Sequence, residues 1–295
     1  MAEVEIRAAR PEDKEDVLAF CVNTWDWGDY IEYVWDEWLQ DENGMLVIAT
    51  VDEKPVGVSR FQILRPQEAW FEGMRVNPEY RNRGIAKAIN DYMLAESKKR
   101  GATVARLITE SVNAPAIRTL EHGTGMQRVA AYAPYKAGPL PEQSKRTSGL
   151  ETPTLATETD IDDIIDYLNN SNIFPAIGGL YYSGFTAWQI TPEFIEQKVA
   201  AGEVYLLRRW NRLDGLAMIE RREGRMGKDL FIGYIDGTTE SISLIAYAMR
   251  GKLPEMGLDQ VRINAPDLIM VRDALTGAEY EWDGKVFYTY ERELE

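Results

Sequence analysis

Apolar and polar residues of the first half alternate with spacings that predict strands and helices in turn. Period-two or continuous apolar runs predict strands at 4–9, 45–51, 56–64, 69–76 and 103–109, and a final strand from Arg128. Helical spacing predicts helices at 12–24 and 84–100, a further helix through Ile31, Val34, Trp35 and Trp38, and a short one from Asn113. The predicted order is strand, helix, helix, three strands, helix, strand, helix, strand.

A second copy of this pattern follows a segment rich in turn formers. Residues 160, 163, 164, 165 and 167 repeat the residue types and spacing of residues 13, 16, 17, 18 and 20. Gly202 and Gly215 bracket a predicted hairpin as Gly44 and Gly57 do. We therefore predict a domain at 1–139, a linker at 140–152 and a related domain at 153–295. Chance similarity of two α/β domains is the alternative.

The stretch from Val76 to Ala86 joins a predicted strand to a predicted helix and carries the strongest chemical signal. The first N–H groups of a helix lack partners within the helix, and its dipole adds partial positive charge there. Such ends bind phosphate. Arg81 and Arg83 add guanidinium donors, and Gly84 lets a ligand approach the backbone. We call residues 81–87 the cradle. An ordinary basic turn is the alternative.

Three residues of the cradle give a family resemblance. Arg81, Gly84 and Ala86 match the Arg/Gln-x-x-Gly-x-Gly/Ala pattern, which resembles the signature of the GCN5-related N-acetyltransferases (GNAT family) and differs from the P-loop and Rossmann patterns. The resemblance covers residues 4–136 and includes Asn113-Ala114-Pro115-Ala116. It implies an α/β fold with a mixed central sheet flanked by helices, which the repeat duplicates in tandem.

The resemblance also implies acetyl-coenzyme A as cosubstrate, without a metal. Its pyrophosphate would bind the cradle through Arg81, Asn82, Arg83, Gly84, Ile85, Ala86 and Lys87. The main chain of Met74, Arg75 and Val76 would hold the pantetheine arm, and Asn113 would contact it.

Glu72 is the candidate catalytic base for deprotonating an amine. Period-two alternation would place it on one face with Met74 and Val76, and several members of the family carry a glutamate at this position. A solvent-facing strand residue is the alternative. The resemblance implies a tyrosine as acid for the leaving thiolate, but Leu120 occupies that position. Tyr132 or Tyr135 could replace it, or the thiolate could leave unassisted.

Residues 25–33 interleave acidic and aromatic side chains in a region that shapes the acceptor pocket in the GNAT family. Such a mixture suits a cationic acceptor. The alternative is that Trp35 and Trp38 belong to the core, while Asp26, Asp29 and Glu32 form a solvated face.

The second half lacks the signature. Carrying the hairpin register forward puts Thr239, Ile242 and Leu244 at the positions of Arg81, Gly84 and Ala86. An acidic loop from Asp236 to Glu240 would repel pyrophosphate. We therefore predict one coenzyme site per chain, in the first half.

Composition narrows the range of partners and compartments. The net charge of −15 argues against nucleic acid, and solubility alone also explains it. No apolar run reaches the length of a membrane span, and the first residues do not resemble a signal peptide. A single cysteine, Cys21, fits a cytoplasmic protein, and its place on an apolar helix face predicts a buried, inert thiol. The single histidine, His122, is expected at the surface, and no His/Cys cluster has metal-ligand spacing.

The sequence thus predicts a cytoplasmic enzyme that moves an acetyl group from acetyl-coenzyme A to a primary amine of a small molecule or peptide. Three alternatives stay open: another acyl-coenzyme A, a bulky metabolite acceptor as in mycothiol-synthase-like proteins, and a non-catalytic acyl-coenzyme A sensor or scaffold. The acceptor's identity and the oligomeric state are not encoded in any recognisable pattern.

Overall fold

The computed structural model describes residues 4–22, 24, 28–141, 151–224 and 227–294. Short 3-10 turns lie at Pro11–Asp13, Pro78–Tyr80 and Glu158–Asp160, and a π turn at Leu120–Thr124. The first-half helices and strands are β1 (Val4–Ala8), α1 (Lys14–Cys21), α2 (Ile31–Gln40), β2 (Gly44–Val51), β3 (Lys54–Arg65), β4 (Glu68–Val76), α3 (Ile85–Lys99), β5 (Val104–Glu110), α4 (Ala114–Thr119) and β6 (Gln127–Ala137).

The second half contains a longer series of elements in a similar order. They are β7 (Thr154–Leu155), α5 (Ile161–Asn169), α6 (Ile173–Ala176), β8 (Leu180–Ser183), β9 (Thr186–Gln189), α7 (Pro192–Ala200), β10 (Val204–Arg209), β11 (Arg212–Gly224), β12 (Gly227–Gly237), α8 (Thr239–Met256), β13 (Gln260–Pro266), α9 (Ile269–Gly277), β14 (Glu281–Trp282) and β15 (Phe287–Glu293).

The chain forms two compact units, and the first is discontinuous. Unit 1 comprises the residues up to Arg128 together with those from Thr289 onward, and unit 2 runs from Val129 to Tyr288. The predicted domain limits of 139 and 153 remain a prediction. Residues 142–150 of the predicted linker lie outside the described residues.

Unit 1 is a mixed sheet with helices on both faces, in the strand order β1-β2-β3-β4-β5-β15. Neighbours from β1 to β4 are antiparallel, whereas β4 and β5 are parallel. The helices α1 and α2 pack on one face, where Trp35, Ile48 and Val58 are fully buried. Ile85 and Ile89 of α3 approach Gly57 of β3. The predicted elements of the first half, and the α/β fold with a mixed sheet, are confirmed.

Unit 2 repeats this plan with the strand order β7-β10-β11-β12-β13-β6. β10, β11 and β12 are antiparallel neighbours, and β12 pairs in parallel with β13, as β4 does with β5. Its core lies between the sheet and the helices α8 and α9, with Ile232, Ile245 and Val271 fully buried.

Matched local features support the predicted repeat at the level of single residues. The backbone N–H of Arg10 donates to Asp13 at 2.7 Å, and that of Thr157 donates to Asp160 at 2.8 Å. Each aspartate thus closes the turn that leads into α1 or α5. Asp13 also pairs with Arg7, and Asp160 with Arg208.

The C-terminal strand completes unit 1. β15 lies beside β5, and its Thr289 and Tyr290 are fully buried. Arg106 of β5, which is 4% exposed, donates from Nε to Glu291 at 2.6 Å and also pairs with Glu68. A buried guanidinium needs such carboxylate partners, so the end of the chain stabilises the sheet formed by its beginning.

Candidate functional site

The backbone of the cradle leaves the first turn of α3 open. Gly84 is the N-cap residue, with φ of +82° and no side-chain cap for the helix. A Cβ added at Gly84 would meet nothing within 4 Å among the described residues. Asn82 also has a positive φ, of +61°. Among the described residues, no side chain of the N-cap position caps the helix end at Ile85, Ala86 and Lys87, which is the geometry that binds phosphate.

Cationic side chains surround this helix end. Arg81 is exposed and donates from Nε to the carbonyl of Val76 at 3.3 Å. The exposed Arg83 lies over the ring of Tyr80 at 4.9 Å and donates to the carbonyl of Glu79. Lys87 pairs with Asp91 on the next turn of α3. The arrangement places two guanidinium groups on the loop that leads to the open helix end.

Parallel strands diverge next to the cradle. Pairing of β4 with β5 runs from Glu68–Val104 to Phe71–Leu107 and is not continued in the described residues, although β4 extends to Val76. Met74, Arg75 and Val76 lie on this diverging part and are half-buried. Along this part of β4 the described residues show no ladder pairing with β5, as insertion of an extended ligand arm between the two strands requires.

A bulge in β4 overturns the predicted alternation at Glu72. In the pairing with β3, Arg60 is opposite Glu72 and Val58 is opposite Arg75, so one extra residue of β4 lies between them. Gly73 supplies the bulge with φ of +71°, and a Cβ there would lie 2.7 Å from the Trp38 ring. Glu72 therefore shares the α2 face with Arg75, not with Val76, and the predicted common face with Met74 and Val76 is wrong.

Glu72 lies in a buried charge cluster. Its side chain is 22% exposed and accepts a hydrogen bond from Arg60 Nη1. Burial raises the carboxyl pKa above its ordinary value, and Glu37 and Asp41 raise it further, while Arg60 opposes the rise. A carboxylate with a raised pKa is a better proton acceptor than an exposed one. The geometry excludes the alternative of a freely solvated strand residue.

The side chain of Arg75 contacts the acidic and aromatic segment before α2. Its Nε donates to Asp29 Oδ2 at 2.6 Å, its Nη2 donates to Oδ1 at 3.2 Å, and it lies over the Tyr30 ring at 5.3 Å. Burial acts to raise the pKa of Asp29, but hydrogen bonds from Arg75 hold it below its ordinary value. Asp29 is therefore an ionised partner of Arg75 rather than part of a solvated face.

The other residues of the predicted acceptor region have different environments. Trp35 and Trp38 are core residues, as the alternative interpretation states, and Glu32 is exposed. Trp25, Asp26 and Trp27 lie outside the described residues.

Asn113 has a structural role in this structure. Its side-chain oxygen accepts from the N–H of Ala116 at 3.3 Å, which caps α4, and its amide donates to Thr109 at 3.3 Å. These contacts keep Asn113 at the C-terminal end of β5, on the loop leading to α4.

The predicted substitutes for the missing tyrosine do not belong to unit 1. Leu120 is buried at the start of the π turn. Tyr132 and Tyr135 belong to unit 2, and burial raises the pKa of both hydroxyls, that of Tyr132 well above its ordinary value. Unit 1 instead contains Tyr290 from the C-terminal strand, whose hydroxyl donates to Glu121 at 2.8 Å. No sequence pattern connects Tyr290 with residues so distant in the chain.

Unit 2 has no counterpart of the cradle loop. In unit 1 seven residues separate the end of β4 at Val76 from the N-cap Gly84, whereas α8 begins at once after β12, with Thr238 as N-cap. The alignment of Thr239, Ile242 and Leu244 with Arg81, Gly84 and Ala86 is therefore wrong, because it assumes a loop of equal length.

Side chains occupy this second helix end instead. Thr238 accepts from the N–H of Ser241 at 3.1 Å, and Ser241 donates its hydroxyl to Asp214. Asp236 is 2% exposed and accepts from the hydroxyls of Ser171 and Tyr234. It is thus buried inside unit 2 and lines no loop, contrary to the prediction.

The single cysteine and the single histidine have the environments that the sequence predicts. Cys21 is buried, as predicted, and burial raises its thiol pKa to about 12. His122 is exposed, as predicted. Within the described ranges, no group of three or more His, Cys, Asp or Glu side chains could hold a metal ion. None of the described helices is both long and apolar enough to cross a membrane.

Comparison with known proteins finds a family match within the first half. Residues 11–126 match the model of the acetyltransferase (GNAT) family. No curated protein matches the chain.

Solved structures resemble the chain over nearly its whole length. A GCN5-related N-acetyltransferase from Sphaerobacter thermophilus has a TM-score of 0.59 at 13% identity, covering 99% of this chain and 96% of its own. A candidate acetyltransferase from Thermoplasma acidophilum has a TM-score of 0.56 at 15% identity, covering 98% and 99%. A GCN5-related N-acetyltransferase from Kribbella flavida has a TM-score of 0.51 at 16% identity, covering 99% and 71%. At such identities the likeness shows the fold, and it extends through both units.

Proposed function

We propose that this chain, whose residues 11–126 are a domain of the acetyltransferase (GNAT) family, transfers an acetyl group from acetyl-coenzyme A to a primary amine. One observation carries the proposal: a seven-residue loop joins the end of β4, where pairing with β5 has ceased, to the helix end at Gly84. The helix end suits a pyrophosphate and the end of β4 an extended pantetheine arm. Arg81, Asn82, Arg83 and the N–H groups of residues 85–87 would bind the phosphates.

The main chain of Met74, Arg75 and Val76 would hold the pantetheine arm in the gap between the strands, with Asn113 near the end of β5. The bulge at Gly73 interrupts the pairing of β4 with β3 just before these residues, and the pairing resumes at Arg75 and Val76. The ligand would therefore use main-chain groups on the side of β4 that faces β5, where the pairing with β5 has ended. The N–H groups near Val76 would also polarise the thioester carbonyl.

Glu72 would act as the base, directly or through water. The nitrogen lone pair of the amine attacks the thioester carbonyl carbon, and the C–S bond breaks as the new C–N bond forms. The proton of the amine passes to Glu72, and the coenzyme A thiolate leaves and takes a proton from solvent. A thiol pKa of about 8.5 makes this departure possible without a protein acid. This accounts for a functional site with Leu120 at the usual position of tyrosine.

A cationic acceptor stays a prediction from the acidic and aromatic residues before α2, because Asp29 is 4% exposed and already paired with Arg75, and Glu72 is paired with Arg60. The alternatives are another acyl donor, a bulky metabolite acceptor and a non-catalytic sensor.

The test is a turnover assay with acetyl-coenzyme A and a panel of amines comprising spermidine, glucosamine, lysine and an N-terminal alanine peptide. Released coenzyme A is measured with a thiol reagent and the acetylated product by mass spectrometry. We expect amine-dependent release of coenzyme A with matching product. Propionyl- and succinyl-coenzyme A test the acyl choice. Tight binding of acetyl-coenzyme A without turnover of any amine would favour the sensor.

A further inference from the structure

Arg60 connects two carboxylates on the α2 face of unit 1. Its Nη1 donates to Glu72 Oε1, and its Nη2 donates both to Asp41 Oδ2 and to the side-chain oxygen of Gln62, at 3.0 Å for the latter. The third nitrogen, Nε, has no partner in the described part of the chain. Arg60 is therefore not paired in a bidentate way with one carboxylate. It divides its donors between Glu72 and Asp41.

The surroundings fix this guanidinium in place. Arg60 is 6% exposed and lies 5.1 Å from the centre of the Trp38 ring. On the other side, Asp41 accepts from the N–H of Asn43 at 2.9 Å. A Cβ at position 44 would lie 2.6 Å from Asp41 Oδ2, so Gly44 leaves room for this carboxylate. The guanidinium and the Asp41 end of the bridge are thus held in place, and the Glu72 carboxylate is bonded to this fixed guanidinium.

Few charged or titratable groups act on Glu72. Arg60 of β3 favours its ionised form, whereas Glu37 of α2 and Asp41 after α2 disfavour it. Tyr30, which precedes α2, also interacts with it. Among these groups Asp41 is the one that also competes for the donors of Arg60. Removal of Asp41 should therefore act on Glu72 in the direction opposite to removal of Arg60.

We propose that Arg60 is the positioning residue for the base Glu72, and that Asp41 tunes this base by sharing the same guanidinium. The proposal rests on the proposed function and adds two residues to it. Arg60 holds the Glu72 carboxylate on the α2 face and keeps it ionised. Asp41 takes part of the hydrogen bonding of Arg60, so the guanidinium does not fully neutralise the charge of the Glu72 carboxylate. Glu72 therefore retains the capacity to accept a proton.

The experiment measures the titration of Glu72 in the full chain by NMR of the side-chain carboxyl carbons. The Glu72 signal is identified as the one that Glu72→Gln removes. Arg60→Met, which retains an apolar contact with Trp38, should move the titration midpoint upward. Asp41→Asn should move it downward. The matched control is Asp36→Asn, which removes a carboxylate of α2 that is 69% exposed and paired with Lys14. This control should leave the midpoint unchanged.

The acid limb of the rate, measured with spermidine or the best amine of the panel, should move in parallel with each midpoint. A structural role alone would lower activity without moving either curve. An unmoved midpoint in Arg60→Met, or an upward one in Asp41→Asn, would overturn the proposal, as would a moved midpoint with an unmoved acid limb. If Arg60→Met does not fold, the direction of the midpoint shift in Asp41→Asn tests the proposal by itself. Absence of turnover with every amine would instead contradict the proposed function.

Discussion

At the scale of single residues, the environment of Glu72 gives a definite pH dependence. Burial raises its carboxyl pKa, so the protonated form persists to a higher pH than for an exposed glutamate, and the base becomes available only above that pKa. If Glu72 is the base, the wild-type rate should rise with pH along an acid limb.

Glu72→Gln keeps the shape of the side chain and removes the base. We expect kcat to fall by about 10²–10⁴ at neutral pH, because proton transfer to a positioned group contributes this much. The loss should shrink at alkaline pH, where more of the amine is already deprotonated, and acetyl-coenzyme A affinity should stay nearly constant. The measurement is a pH–rate profile with calorimetric binding as control. A near-normal kcat across the pH range would show that Glu72 is not the base.

Gly84 tests the cradle itself. A Cβ at this residue would meet no described atom within 4 Å, but the φ of +82° strains any other residue, so Gly84→Glu needs a control that carries similar backbone strain. We expect acetyl-coenzyme A binding to be lost in calorimetry, with native circular dichroism. The matched control is Gly202→Glu in unit 2, where φ is +67° and the space is equally open, and which should bind normally. Equal affinity of both variants would contradict phosphate binding at the cradle.

At the scale of secondary structure, single elements depend on contacts that are distant in the sequence. Glu291 reaches Arg106 across 185 positions of the chain, and buried Tyr290 contacts Glu121. Without β15, Arg106 would keep Glu68 but lose Glu291, and an edge of β5 would be exposed. The C-terminal strand is therefore part of the unit that contains the cradle.

Deletion of residues 289–295 should consequently impair the first half of the chain. We expect loss of acetyl-coenzyme A binding and a fall in stability of a few kcal/mol, since a buried charge loses one of its partners. Hydrogen exchange should report faster exchange of the β5 amides. A peptide of residues 286–295 added in trans should restore protection, whereas the same peptide with Tyr290→Pro should not. Normal binding by the shortened chain would show that unit 1 is independent of β15.

At the scale of the whole molecule, the two units differ at the start of the helix that follows their corresponding strands. Unit 1 has a seven-residue loop before the N-cap Gly84, while in unit 2 the Thr238 side chain caps the helix directly after the strand. We therefore expect the coenzyme to bind only unit 1.

Titration of the full chain should give one acetyl-coenzyme A per chain. The reason is that an anion at α8 would have to displace the Thr238 cap and approach the carboxylate of Asp214. Isothermal calorimetry measures the number directly. A value of two would contradict the closed helix end, and so would residual binding of one equivalent by Gly84→Glu.

The sequence by itself determined the features that depend on neighbouring residues. Periodicity specified the first-half elements, because burial of one face is repeated every few positions along the chain. The cradle from Arg81 to Lys87 and the turn at Asp13 and its repeat at Asp160 are likewise local, since glycine and capping side chains act within a few residues.

Only the tertiary structure decided the features that depend on pairing between distant segments. The bulge at Gly73 changes the face of Glu72, and it becomes visible only when β4 is aligned with β3. The same alignment brings Arg60 to Glu72, and the order of the strands brings Tyr290 and Glu291 into unit 1. A one-residue change in pairing register reverses which face a side chain occupies, and no pattern within a single strand contains that information.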